Sequence, residues 1–90
     1  MGWNFETIDT VGAYAQLVHD SEGNPHIVYQ DELNRNLKIA SHTSDGWIIE
    51  IIDDEGAVGQ HINLAIDSKD KLHVTYADET HQQIKYASGY

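Results

Sequence analysis

The chain has 90 residues, with 15 Asp and Glu against 5 Lys and Arg, which gives a formal net charge of −10. An acidic surface repels phosphate, so nucleic acid is disfavoured as a partner. No apolar run approaches the roughly 20 residues of a membrane helix. The absence of cysteine excludes disulfides and Cys-ligated metal. No segment has the pattern of a secretion signal, so we expect a soluble chain of undetermined location and no membrane partner.

Short strand patterns separated by turn residues follow one another along the whole chain, and helical periodicity is absent. The first predicted strand is Trp3–Asp9. Four more follow in chain order: Tyr14–Asp20, His26–Asp31, Leu37–His42 and Trp47–Asp53. The last three are His61–Asp67, Leu72–Asp78 and Gln83–Ser88. This pattern predicts an all-β protein of antiparallel hairpins.

The chain contains one pattern twice. Five residues recur about 44 positions later: Trp3, Glu6, Ile8, Asp9 and Gly12 correspond to Trp47, Glu50, Ile52, Asp53 and Gly56. After an insertion at Val58–Gln60 the spacing becomes about 47, and it relates Leu17, Asp20, Ser21, His26, Tyr29, Asp31, Lys38 and Ser41 to Leu64, Asp67, Ser68, His73, Tyr76, Asp78, Lys85 and Ser88. A repeat of this length suits one four-stranded blade of a β-propeller.

The order of the strands predicts how such blades are joined. Residues 11–54 make a complete first blade, whereas residues 55–90 supply three strands of a second. Residues 1–10 hold the outer strand that the second blade lacks, so we expect them to complete the blade of a neighbouring copy. Two blades cannot close a ring, which predicts an obligate homo-oligomer of six or eight blades. The bulky inner strands slightly favour eight, hence a tetramer over a trimer.

The segments DSEGNPHIVYQD and DSKDKLHVTYAD, followed by LKIAS and IKYAS, resemble a bacterial and archaeal β-propeller repeat. The resemblance covers nearly the whole chain twice, and it departs from the pattern at Lys69–Leu72, where the hairpin Gly and Pro are lost. It implies tandem four-stranded blades closed by an exchanged outer strand. A chain of two blades also resembles self-assembling propellers, both fucose-binding lectins and engineered or excised propeller fragments. No sugar-binding motif of those lectins is recognisable here.

The repeated polar and aromatic residues are candidates for structural roles. His26 and His73 begin matched strands beside the turn residues Asp20 and Asp67, which predicts a hydrogen-bonded His–Asp network that staples strands together. We expect both histidines to be neutral at pH 7. The large aromatic side chains repeat as well, and we interpret them as packing elements between blades: Trp3, Trp47, Tyr29 and Tyr76.

Catalytic and metal-binding interpretations of these residues are weaker. Ser21 and Ser68 are the repeated nucleophiles that we expect near the histidines, and turn geometry explains them. The segment from Asp20 to Asn24 spaces oxygen ligands as calcium loops do, but it lacks the closing bidentate Glu. The unmatched histidines form no close ligand pair, although a histidine near a ring axis could bind an ion between subunits. We therefore predict no cofactor, no bound metal and no enzymatic activity.

Three functions remain open from the sequence, of which a protein-binding scaffold is the weakest. The favoured one is a structural module whose activity is its own assembly into a propeller, as an engineered or excised fragment would show. The alternative is a carbohydrate-binding lectin with aromatic and polar groups in pockets between blades.

Overall fold

The computed structural model describes residues 2–90, and all regular structure in this part of the chain is β-strand. The seven strands, in chain order, are β1 (Ala13–His19), β2 (Pro25–Asp31), β3 (Asn36–Thr43), β4 (Gly46–Asp53), β5 (Val58–Ile66), β6 (Leu72–Asp78) and β7 (Gln83–Gly89). β1 to β4 form the first sheet and β5 to β7 the second, each an antiparallel meander in sequence order. The all-β prediction is confirmed, with these strands near their predicted bounds.

Tight turns made by matched aspartates connect the first two strands of each sheet. In the first turn, the carboxylate of Asp20 accepts backbone N–H groups of Glu22 and Asn24 at 3.0 and 2.9 Å. Gly23 follows with φ of +82°, a left-handed conformation that glycine adopts without steric cost. Asp70 occupies the matched place in the second turn with φ of +63°. Aspartate is one of the few other residues that tolerate this conformation, so the turn survives the loss of glycine.

Each sheet also contains an irregularity in its first strand. Tyr14 in β1 and His61 in β5 occupy matched positions, and both have positive φ, of +57° and +52°. The antiparallel pairing shifts at both places, as in a β-bulge. The repeat therefore extends from the residue types to the backbone conformation.

One predicted strand differs from the structure. Residues 3–9 are not a strand, and the side chains of Trp3 and Phe5 are 86% and 90% exposed. A strand needs a neighbouring backbone edge to pair its N–H and C=O groups, and this segment pairs with none of the seven strands. We call residues 2–9 the amino-terminal arm.

The hydrophobic core lies between the two sheets. On the first sheet, Val28 opposes Ile39 and Gln30 opposes Leu37, so these side chains share one face. Val28 and Leu37 are fully buried in the core cluster, and Ile39 packs against it. We call this side the packed face of the first sheet. Its outer face carries the alternate residues of the same strands, including Leu17, Ile27 and Tyr29.

The second sheet contributes the other half of the core. Leu64 opposes Val74, and Tyr76 follows on the same side of β6, which defines the packed face of this sheet. Its outer face carries the alternate residues, among them Thr75, Ile84 and Tyr86. Residues that correspond in the repeat therefore lie on opposite faces. Tyr29 is on the outer face of the first sheet, whereas its counterpart Tyr76 is on the packed face of the second.

The three-residue insertion lies at the start of β5 and packs on the first sheet. Val58 is completely buried, and its carbonyl accepts the side-chain amide of Gln30 at 2.8 Å. Its N–H donates to the carbonyl of Arg35 at 3.1 Å. A Cβ at Gly59 would lie 3.2 Å from the Cβ of Gln30, so glycine allows this close approach. The insertion thus adds contacts between the sheets.

Candidate functional site

The two outer faces expose apolar side chains whose repeat partners are buried. Leu37 on the packed face of the first sheet is 0% exposed, whereas Ile84, its counterpart on the outer face of the second sheet, is 76% exposed. Leu64 is half-buried on the packed face of the second sheet, but its counterpart Leu17 is 56% exposed on the outer face of the first. The outer face of each sheet therefore carries the same residue types as the packed face of the other sheet, which is covered.

The matched aspartates and histidines meet in both sheets. The Asp20 carboxylate lies 3.0 Å from His26 Nε2, and the Asp67 carboxylate lies 2.9 Å from His73 Nε2. The bond from His26 is the main cause that lowers the pKa of Asp20 to about 2. The bond from His73 likewise lowers the pKa of Asp67. Each aspartate therefore orients a histidine while it also caps the turn.

The second ring nitrogen of each histidine has a different partner in the two sheets. His26 Nδ1 lies 2.8 Å from the hydroxyl of Ser41, whereas His73 Nδ1 lies 2.6 Å from the hydroxyl of Tyr86. The rings of His73 and Tyr86 are also stacked. Neither partner is predicted from the sequence, although the repeat of Ser41 as Ser88 is a usable signal for the first. The cluster of the second sheet is the more exposed, since it lies on the outer face.

The Asp20–His26–Ser41 chain contains the three groups of a nucleophilic relay. A nucleophile must reach substrate, yet the His26 side chain is 16% exposed and Ser41 is half-buried. In the matched cluster of the second sheet, the hydroxyl that contacts the histidine belongs to Tyr86 and not to a serine. The geometry therefore suits a polar staple that holds β2 to β3 and to the turn.

A second pair of matched clusters surrounds the repeated tyrosines. Tyr29 is buried, and its hydroxyl donates to Asp9 at 2.6 Å. The Lys38 ammonium lies 3.0 Å from Asp31 and 3.8 Å from Asp9. Burial raises the pKa of Tyr29, and the bond to Asp9 raises it further. From the sequence, Tyr29 is predicted only to pack between blades, although Asp9, Asp31 and Lys38 all recur in the repeat.

The counterpart in the second sheet joins the two sheets. Tyr76 donates to Asp53 at 2.6 Å, and Lys85 donates to the same oxygen at 2.8 Å. Burial alone would raise the pKa of Asp53, but these two bonds outweigh it, and the pKa is lowered. Asp53 ends β4 of the first sheet, so it ties that strand to the second sheet. Asp9 of the arm accepts the corresponding bond from Tyr29 of the first sheet.

The two tryptophans have different surroundings. Trp47 is half-buried, packs edge-on against His42 with ring centres 5.1 Å apart, and donates its indole N–H to Glu6 of the arm at 3.4 Å. Trp3 is almost fully exposed. The two side chains are therefore not equivalent in the single chain, and their equivalent packing between blades stays a prediction about assembled copies.

One further polar contact crosses between the two sheets at their turns. The backbone N–H of Ser21 donates to the Asp70 carboxylate at 2.8 Å, and the Ser21 hydroxyl donates to its other oxygen. By the repeat, Ser68 matches Ser21 and Gly23 matches Asp70. From the sequence, Ser21 is explained by turn geometry alone, so this contact between the sheets is not predicted.

Within residues 2–90, no group of three or more His, Asp or Glu side chains is placed to hold a metal ion. The same residues contain no helix of sufficient length and apolar character to cross a membrane.

Comparison with known protein families, curated proteins and solved structures finds no match to this chain. The resemblance to propeller repeats therefore stays a prediction from the sequence.

Proposed function

We propose that the chain is a structural module whose function is to assemble with copies of itself, head to tail, into a closed β-propeller without catalytic activity. The observation that carries the proposal is the contrast between Leu37, fully buried, and its counterpart Ile84, 76% exposed. The outer face of the second sheet matches the packed face of the first. It therefore fits the outer face of a first sheet in another copy.

The direction of this contact leads to a ring. Each chain would offer two different outer faces to two different neighbours, which is a heterologous contact. Heterologous contacts close into rings when the rotation between copies divides a full turn, and otherwise they form open filaments. Because four-stranded blades stack around an axis in propellers, a ring of six or eight blades fits chains of two sheets each. We favour eight, hence four chains.

The surface area of the single chain supports assembly. Its accessible surface is 6135 Å². A folded monomer of 10.1 kDa is expected to expose about 5,300 Å². The excess accompanies an exposed arm and two outer faces that carry Leu17, Ile84 and Tyr86. Exposed apolar surface of this kind marks contact sites in soluble proteins.

Native mass spectrometry at micromolar concentration tests the proposal. We expect one dominant species at three or four times 10.1 kDa, with four favoured. Ile84→Glu should place a charge in the contact and raise the protein concentration needed for half-assembly at least tenfold. Leu33→Glu is the matched control, because Leu33 is also 76% exposed but lies in the loop between β2 and β3. A folded monomer as the main species would overturn the proposal.

A further inference from the structure

The open edge of β7 lies beside an apolar cleft between the two sheets. The cleft has a volume of about 170 Å³ and runs between β4 and β7. Leu72, Val74, Ala87 and Gly89 line it from the second sheet, while Ile52 and Glu50 line it from the first. Within residues 2–90, β7 pairs with β6 alone, so its other edge is free.

We propose that this cleft binds the indole side chain of Trp3 from a second copy of the chain, with Glu50 accepting the indole N–H. This inference rests on the proposed self-assembly and specifies the contact that would join two copies. A strand that pairs with the free edge of β7 would also satisfy its unpaired backbone groups.

The pairing of β4 with β3 supplies the register. Trp47 opposes His42, Ile48 opposes Ser41 and Ile49 opposes Ala40. Shifted by one repeat, the arm would place Trp3 opposite Gly89, Asn4 opposite Ser88 and Phe5 opposite Ala87. Trp3 and Phe5, the two most exposed large apolar side chains of the chain, would then enter the cleft.

The small residues on β7 make room for these aromatic rings. Gly89 stands where the first sheet has His42, which packs edge-on against Trp47. A Cβ at Gly89 would meet no atom within 4 Å, so the chain by itself gives no steric reason for glycine there. A docked Trp3 opposite this position would therefore meet no side chain at Gly89.

The acceptor for the indole is found by the same correspondence. Within one chain, the indole N–H of Trp47 donates to Glu6 at 3.4 Å. Trp3 matches Trp47, and Glu50 matches Glu6. Glu50 lines the cleft, so a docked Trp3 would meet the same kind of acceptor.

The arm of the same molecule is held away from this cleft. Its last residue, Asp9, accepts the hydroxyl of Tyr29, which belongs to the outer face of the first sheet. The cleft lies on the opposite side of that sheet, facing the second. The occupant is therefore the arm of another copy.

Cysteine crosslinking tests the register, since the chain contains no cysteine. In the double variant Asn4→Cys with Ser88→Cys, the two thiols would lie directly opposite each other on paired strands. We expect oxidation to join different chains into covalent oligomers on a non-reducing gel. The control, Asn4→Cys with Ala87→Cys, differs by one residue and directs the thiols to opposite faces, so it should remain uncrosslinked.

Native mass spectrometry of the reduced variants separates this inference from the assembly itself. An intact oligomer without the Ser88 crosslink, or with the Ala87 crosslink instead, would overturn the cleft and leave the assembly standing. A monomer would overturn both, and a crosslink within one chain would assign the arm to its own molecule. As a second variant, Gly89→Val should fill the cleft, keep the β-sheet circular dichroism signal and raise the half-assembly concentration at least tenfold.

Discussion

Asp20 and Asp67 each perform two tasks with one carboxylate. Each accepts backbone N–H groups of its own turn, and each accepts a bond from the histidine that begins the next strand. The turn therefore fixes the histidine, and the histidine reaches β3 or β7 through its other nitrogen. A residue that looks like turn chemistry in the sequence is thus also part of a cross-strand link.

The Asp20 cluster predicts a loss of stability in acid. The folded pKa of Asp20 is about 2, below its usual 3.8, so the native state binds fewer protons than the unfolded chain. Its contribution is present above about pH 4 and is lost as the pH falls toward 2. We expect the melting temperature to fall over this range. His26→Ala removes the main cause of the lowered pKa, so its melting temperature should decline less steeply; an equal slope would contradict this role.

The buried tyrosines offer a test of the second kind of cluster. Tyr76→Phe removes the hydroxyl that donates to Asp53 and leaves the ring in place. Since hydrogen bonds to charged groups contribute roughly 1.5–3 kcal/mol, we expect the free energy of unfolding in urea to fall by about that amount. Tyr14→Phe is the control, because Tyr14 is 57% exposed. An equal effect of both substitutions would assign the loss to something other than the bond.

At the scale of the elements, the joint between the two sheets differs from the joint we propose between chains. Within the chain, Ser21 binds Asp70, and Gln30 binds the inserted Val58. Between chains, Ser68 would face Gly23, and Ala77 stands where Gln30 does. The first copy also lacks the insertion. The joint between chains therefore lacks two polar ties, and the arm would have to compensate.

Restoring one tie predicts a stronger oligomer. Gly23→Asp would place a carboxylate opposite Ser68 of the neighbouring copy, and Asp70 already adopts a similar backbone conformation at the matched place. A charge-assisted bond of this kind should lower the half-assembly concentration about five- to tenfold. Mass photometry or sedimentation over a dilution series would measure it. In the same variant, Ser68→Ala should cancel the gain; a gain that survives would indicate another cause.

Removal of the arm gives a second prediction at this scale. A chain without residues 1–7 should leave β7 as an open edge, so we expect the discrete oligomer to be replaced by aggregates or unfolded protein. Sedimentation velocity distinguishes these outcomes. An unchanged oligomer of similar melting temperature would show that the arm is not exchanged.

Trp3→Ala is a milder change than the removal of the arm. If this variant lost sugar binding without losing assembly, the result would favour the carbohydrate-binding alternative.

At the scale of the whole molecule, charge opposes the assembly that we propose through the apolar faces. Each chain carries a net charge of −10, so bringing copies together concentrates negative charge. Salt screens this repulsion over about 10 Å at 0.1 M ionic strength. If the copies associate through apolar contacts, added salt should strengthen the association, because it weakens the repulsion between the acidic chains.

We expect the half-assembly concentration to fall as NaCl rises from 20 to about 500 mM, because screening weakens the repulsion between acidic subunits. Sedimentation at a series of salt concentrations measures the change. A rise in the half-assembly concentration would mean that attraction between opposite charges dominates the contact.

The sequence by itself determined the local structure of this protein. Alternating apolar residues and turn residues predicted the strands β1 to β7, and the repeat predicted that the contact between Asp20 and His26 would recur between Asp67 and His73. These features depend on neighbours a few positions apart along the chain, where hydrogen bonding and side-chain alternation act directly. The repeat also related Asp9 to Asp53, although their tyrosine partners were not recognised from it.

The tertiary structure alone decided which copy of each repeated residue is buried. Leu37 and Ile84 are equivalent in sequence, yet one is enclosed by the second sheet and the other faces solvent. It also decided that His26 meets Ser41 while His73 meets Tyr86, and that Ser21 reaches Asp70 across 49 positions. Residues 3–9 were predicted as a strand but pair with no strand of this chain. Burial and strand pairing need a partner surface, and the arrangement of the sheets, which a local pattern does not encode, determines where that surface is present.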